Sequence, residues 1–230
     1  MAKQSAFQKQ NDKWDQHDTK LHGKNLATYF GNLDQSSTSD GAGPGNNVYV
    51  GTGNTADNYN VFVNHDADIE LGLKVHYRQG PDIRPTSVEG DGSEHYEAPS
   101  GTQPGNPSRA AWNFDFSVNT GIEGSTRTLD AYSFRIVIES GDGERAVFVM
   151  QNVAPGVTPW VNEAGAGFTD DDGATNAQIS QNSVNFGFAF MQAIFGADYN
   201  DAGEHYEIEL QAFGNGNQLI GIVTDSIDIV

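Results

Sequence analysis

Acidic side chains are concentrated in two short segments of the sequence, and their oxygen atoms could bind a hard cation. Asp66 and Asp68 lie in the segment NHDAD, and Asp170 and Asp172 lie in the segment TDDDGATN. Calcium takes about six to eight oxygen ligands, so neither segment alone completes its coordination shell. The sequence therefore suggests a calcium site assembled from both segments, and the alternative is that these carboxylates are solvated loop residues.

Motifs for other chemistries are missing from the sequence. The segment GTGNTADN lacks the Gly-Lys-Ser/Thr ending of a phosphate-binding loop, and no Gly-x-Ser-x-Gly nucleophile motif occurs. His65 has no second histidine at the spacing of a transition-metal site. Trp160, which follows Pro159, could stack on a sugar, so glycan binding remains an alternative. We predict a protein without enzymatic activity.

The composition restricts the classes of partner. Among 230 residues there are 31 acidic and 12 basic side chains, for a formal charge of -19, and such a chain repels nucleic acid. The absence of cysteine excludes disulfides and thiolate metal sites. No stretch approaches the ~20 apolar residues of a membrane span, and the first residues lack the apolar core of a cleavable signal peptide. We expect neither nucleic-acid binding nor membrane insertion.

The N-terminal segment differs in charge from the rest of the chain. Up to residue 24 it holds five lysines and three aspartates, a net charge of +2, which leaves -21 for the remainder. Three apolar residues in it are spaced by seven, which in a helix places them on one stripe. We predict that residues 1–47 form a non-β arm and a Ser/Gly-rich linker. The arm either docks on its own subunit or contacts a neighbouring subunit through Phe7, Trp14 and Leu21, with Lys9, Lys13 and Lys20.

The remainder, residues 48–230, has the alternation of apolar and polar residues typical of half-buried strands. The clearest examples are DIELGLKVHY, from Asp68 to Tyr77, and the run from Ala110 to Val118. Two apolar faces of this kind pack together in a sandwich. We predict an all-β fold, an antiparallel β-sandwich of the jelly-roll or Ig-like kind with about ten strands.

Two stretches of this domain interrupt the alternation. Residues 80–107 are rich in proline and glycine, and residues 153–178 contain the acidic segment, so we predict long loops in both, with a strand in the first at most at His95–Glu97. Strands are predicted around them, including a hairpin from Tyr132 to Asn152 and an alternation that continues through Val184–Phe190. A four-residue phrase, Glu-His-Tyr-Glu, occurs at 94–97 and again at 204–207, through duplication or by chance.

Four phrases stand out in residues 112–230: WNFDFSV, LDAYSFRIVIES, QNSVNFGF and GADYNDAGEHYEIELQAF. With them, this part of the chain resembles a β-sandwich domain of secreted bacterial proteins of unknown function, many of which carry a C-terminal Pro-Glu-Pro sorting tag. The resemblance implies a sandwich fold and an extracellular or cell-surface location, but it brings no catalytic residues with it. A virion protein is the alternative setting.

These observations together predict a structural protein that self-assembles on a bacterial surface, in an extracellular filament or layer, or on a virion. Its partner would be another copy of the same chain, forming a homo-oligomer or polymer, and the basic arm would contact the acidic body of a neighbour. The alternative is an extracellular adhesion module that binds calcium or glycans.

Overall fold

The computed structural model of the protein describes residues 25–31, 33, 58–77, 83, 85–88, 93–150, 168–169, 175–176 and 179–230. The described residues form an all-β sandwich with one short α-helix among them, α1, at Ala189–Phe195. The strands are β1 Leu26–Gly31, β2 Tyr59–Asn64, β3 Ile69–Tyr77, β4 Ser87–Val88, β5 Glu94–Ala98, β6 Thr102–Gln103, β7 Asn106–Ala110, β8 Trp112–Asn119, β9 Ser133–Ser140, β10 Arg145–Met150, β11 Phe168–Thr169, β12 Thr175–Asn176, β13 Ile179–Asn185, β14 His205–Phe213 and β15 Leu219–Ile229.

The strands form two main sheets. The five-stranded sheet has the order β1-β2-β3-β8-β13, with every neighbouring pair antiparallel. The six-stranded sheet has the order β10-β9-β14-β15-β5-β4, and its pairs are antiparallel except β15 with β5, which run parallel. Two small two-stranded sheets, β6-β7 and β11-β12, accompany them.

The core fills the space between the main sheets. Alternating side chains of β3 and β8 point inward from one sheet, and those of β9, β14 and β15 point inward from the other. The aromatic ring of Trp112 stacks on Phe186 at 4.4 Å between ring centroids, and its indole Nε1 donates a 2.8 Å hydrogen bond to Asn200. The predicted burial of Trp112 and of the β3 and β8 alternations is confirmed.

The five-stranded sheet is buried on its second face as well. Tyr59, Val61 and Val63 form a separate apolar cluster there with Leu33, which follows β1. The side chain of Leu33 packs so closely on Gly72 that a Cβ added to this glycine would lie 2.5 Å from the leucine side chain. The first strand of this sheet, β1, begins at Leu26, inside the segment 1–47 that was predicted to be a non-β arm and linker.

Two further regions differ from the sequence prediction. The stretch 80–107, predicted as a loop, contains β4, β5, β6 and the start of β7, and β5 belongs to the six-stranded sheet. The alternation predicted to continue through Val184–Phe190 ends with β13 at Asn185, and α1 follows. The hairpin of β9 and β10 is confirmed. The first ten residues of the predicted β domain, 48–57, and most of the stretch 153–178 lie outside the described residues.

In the part of the chain that the structure describes, no helix is long and apolar enough to cross a membrane.

Candidate functional site

The two described residues of the predicted calcium site anchor a turn between β2 and β3. Asp66 accepts a 2.6 Å hydrogen bond from the side chain of Asn25, and Asp68 accepts a 2.5 Å hydrogen bond from the backbone N–H of Glu123. Asp68 adopts a positive φ of 60°, a conformation that aspartate tolerates better than most residues. Both carboxylates therefore connect neighbouring segments to this turn.

The rest of the predicted sites cannot be compared with the structure. Asp170 and Asp172 lie outside the described residues, as do the predicted arm residues Phe7, Trp14, Leu21, Lys9, Lys13 and Lys20. Among the residues that are described, no group of three or more His, Asp or Glu side chains is arranged to hold a metal ion. The calcium site remains a prediction.

The outer face of the six-stranded sheet carries charged, polar and apolar side chains. We call it the six-stranded face. Because side chains alternate along each strand, every second residue of the five longer strands points away from the core. Across the strands these residues are Arg135, Val137, Glu139, Arg145, Val147, Val149, His205, Glu207, Glu209, Gln211, Ile222, Thr224, Ser226, Asp228, His95 and Glu97.

One end of the six-stranded face is a chain of polar contacts across β5, β15 and β14. The hydroxyl of Ser226 lies 2.8 Å from Nδ1 of His95, and Nε2 of the same ring lies 3.2 Å from Asp228. The other oxygen of Asp228 lies 2.7 Å from Nδ1 of His205. The two histidines are those of the repeated Glu-His-Tyr-Glu phrase, so the phrase marks the strands on either side of β15.

The other end of the six-stranded face is partly apolar. Val147 and Val149 on the edge strand β10 are 46% and 45% exposed, which makes them two of the largest exposed aliphatic groups in the described chain. Arg135 lies over the ring of Phe213 at 4.0 Å and donates a 2.7 Å hydrogen bond to Gln211. Burial and the neighbouring Arg145 lower the pKa of Arg135. At this end the exposed side chains of Val147 and Val149 lie near the hydrogen-bonded side chains of Arg135 and Gln211.

The six-stranded face has a net negative charge. It holds five carboxylates and two guanidinium groups, which leaves three negative charges when the histidines are neutral. The carboxylates are Glu97, Glu139, Glu207, Glu209 and Asp228, and the cations are Arg135 and Arg145. An acidic surface beside exposed valines complements a basic segment that carries apolar side chains.

A second group of carboxyls lies inside the sandwich, where sequence reasoning did not place one. Glu94 and Asp225 are adjacent on the parallel strands β5 and β15, and both side chains are buried. Asn60 of the opposite sheet donates a 3.0 Å hydrogen bond to Asp225, and Tyr96 donates a 2.7 Å hydrogen bond to Glu94. The only sequence signal is an acidic residue at an inward position of each alternation.

The buried position changes the acidity of both carboxyls. Desolvation raises the pKa of Glu94 to about 7, although the hydrogen bond from Tyr96 opposes this change. Desolvation also raises the pKa of Asp225 well above its ordinary value, and the nearby Glu94 adds to the effect. The pair therefore binds protons at pH values where exposed carboxyls are ionised.

Comparison with known proteins gives no family for this chain. No protein-family model matches the sequence, and no curated protein matches it significantly. The resemblance to secreted bacterial sandwich domains remains a prediction from the sequence.

Proposed function

We propose that the protein is a non-enzymatic structural protein that self-associates outside the cell or on a virion, with the arm of one copy bound to the six-stranded face of its neighbour. The observation that carries the proposal is the exposed acidic face with Val147 and Val149 at its edge. The partner would be a second copy of the same chain, which supplies the basic segment 1–24.

The two surfaces are complementary in charge and in apolar content. The segment 1–24 has a net charge of +2 and carries Phe7, Trp14 and Leu21 at a regular spacing. A fully buried large apolar side chain contributes about 1.5–3 kcal/mol, so three of them could offset the cost of ordering the arm. Attraction between the arm and the acidic face adds specificity and is weakened by salt.

The environment of Ser226 supports a role without catalysis. Ser226, His95 and Asp228 make the contacts of a hydrolytic triad, but Ser226 lies in the central strand β15, between β14 and β5. The backbone N–H groups of a central strand are used in the sheet, so they are not free to stabilise an oxyanion beside the hydroxyl. The lack of free donors supports a structural role for these polar contacts, which link β5, β15 and β14.

Light scattering of the full-length chain and of a variant lacking residues 1–24 tests the proposal. This deletion leaves β1 intact, since that strand begins at Leu26. We expect the full-length protein to be oligomeric in dilute buffer, to dissociate partly at high salt, and to become monomeric on deletion. A full-length protein that is monomeric at high concentration and low salt would refute the proposal.

A charge reversal on the face identifies the surface that is used. Glu207→Lys places a positive charge on the six-stranded face, and we expect it to weaken association at least tenfold. Glu144→Lys is the matched control, because Glu144 is exposed in the turn between β9 and β10 and does not lie on the face. Equal weakening by both variants would show that net charge, and not this surface, controls association.

A further inference from the structure

A buried lysine and a buried aspartate face each other on the second side of the five-stranded sheet. Lys74 of β3 and Asp115 of β8 are directly opposite in the antiparallel register. Their side chains are 3% and 0% exposed, and Nζ lies 3.9 Å from Oδ2. Both strands are interior strands of the five-stranded sheet.

The surroundings of the pair exclude water. The ring of Tyr59 lies 4.5 Å from Nζ of Lys74, and Tyr59 belongs to the apolar cluster on this side of the sheet. Neither oxygen of Asp115 has a hydrogen-bond partner among the described residues. Nδ1 of His76 lies 3.1 Å from Oδ2, but this contact does not have hydrogen-bond geometry.

An ion pair in such surroundings is unfavourable. A carboxylate loses its hydration on burial, and without hydrogen bonds its attraction to one ammonium group offsets only part of that cost. Condensation to an amide would remove both charges. It requires the neutral form of the lysine amine, because that form is the nucleophile.

We propose that Lys74 and Asp115 condense to an intramolecular amide, a covalent cross-link between β3 and β8. The lone pair of Nζ attacks Cγ of the protonated Asp115 carboxyl, and a C–N bond forms. The C–O bond to one carboxyl oxygen then breaks, and that oxygen leaves as water. The products are one amide and one water molecule, so no oxidant or other reactant is consumed.

His76 is placed to move the proton in this reaction. Its Nδ1 lies 3.1 Å from Oδ2 of Asp115, so it can carry a proton to the leaving oxygen. Attack begins from a separation of about 3–3.5 Å, and Nζ lies 3.9 Å from Oδ2 of the same carboxyl group. The cross-link removes both buried charges.

The cross-link would stabilise a chain that has no cysteine. An amide between residues 74 and 115 closes a loop of the unfolded chain, as a disulfide would, and so lowers the entropy of the unfolded state. This inference does not depend on the proposed function, because it concerns a single subunit.

Intact-mass spectrometry of the purified full-length protein tests the inference. We expect a mass lower than the sequence mass by one water molecule, and a cross-linked peptide that contains Lys74 and Asp115 after proteolysis. Lys74→Arg and Asp115→Ala should have their full sequence masses. An unmodified protein with its full sequence mass, both when fresh and after prolonged incubation, would overturn the proposal without any variant.

Two further variants test the chemistry. Asp115→Asn should also form the amide, with loss of ammonia, and should give the same final mass as the cross-linked natural protein. His76→Gln should slow the reaction and leave a larger fraction at the full sequence mass. A His76→Gln protein that cross-links as fast as the unmodified chain would refute the role of His76 in proton transfer.

Discussion

Replacement of Glu94 by glutamine should remove much of the pH dependence of the protein's stability. Burial raises the pKa of Glu94 from its ordinary value of 4.5 to about 7. The folded state therefore holds a proton that the unfolded state has lost between these two pH values. Each pH unit in this window lowers the free energy of unfolding by about 1.4 kcal/mol. This free energy should therefore fall by about 3 kcal/mol from pH 4.5 to pH 7.

The sign of this effect is opposite to that of an ion-paired carboxylate. The stability linked to Glu94 is fully present below pH 4.5 and is lost as the pH rises through about 7. Asp225 changes the stability in the same direction, so the natural protein should have a steeper slope than one group produces. Glu94→Gln is always neutral and keeps an oxygen that can accept the Tyr96 hydroxyl.

Urea denaturation from pH 4.5 to pH 8 measures this prediction. Glu94→Gln should match the unmodified protein at pH 4.5 and be more stable by about 3 kcal/mol at pH 8. Glu97→Gln is the matched control on the same strand, because Glu97 is exposed on the opposite side of the sheet. If the difference between Glu94→Gln and the unmodified protein does not change with pH, the buried-carboxyl explanation is wrong.

Two further predictions concern packing. Phe114→Ala should lower the free energy of unfolding by about 3–5 kcal/mol, since Phe114 is completely buried between the sheets, and a loss below 1 kcal/mol in denaturant titrations would contradict the core assignment. Gly187→Ala should cost more than about 2 kcal/mol, because its Cβ would lie 2.2 Å from the backbone nitrogen of Ala110. Gly141→Ala, with its nearest contact 3.3 Å away on His205, is the control, and thermal melts in which both alanine variants lose the same stability would refute the steric argument.

The sandwich could be predicted because its central strands have a strict period of two. In β3 and β8 the side that faces the opposite sheet is apolar at every second residue, and the structure places all of these residues in or against the core except Tyr77, which is half-buried. The β9–β10 hairpin could be predicted for the same reason, with a Gly-containing turn between its strands. Local patterns are sufficient for such elements.

Elements that depend on distant partners could be predicted only in part. The strand β5 lies in a proline-rich stretch where the sequence indicates a strand at most at His95–Glu97, and its place in the six-stranded sheet depends on its pairing with β15. The apolar alternation of β13 continues in Phe188 and Phe190, but Gly187 packs against Ala110 and the chain turns into α1. A helix of seven residues is stabilised by tertiary packing, and the sequence gives no separate signal for it.

The candidate sites also depend on contacts between residues that are distant in the sequence, so the sequence alone does not reveal them. The sequence identifies Asp66 and Asp68 as turn residues, and the hydrogen bonds that occupy them come from segments distant in the chain. The pairs Glu94–Asp225 and Lys74–Asp115 appear in the sequence only as charged residues in alternating strands. Their chemistry follows from strand register and burial, which only the folded chain defines.

Photo-cross-linking of the full-length protein tests the central claim most directly. Trp14 is replaced by the photoreactive amino acid benzoylphenylalanine, and copies with and without a ¹⁵N label are mixed before irradiation. We predict cross-links between labelled and unlabelled copies that map to β10, β9 or β14, the strands of the six-stranded face. Cross-links confined to single copies, or to the five-stranded sheet of a neighbour, would contradict the account.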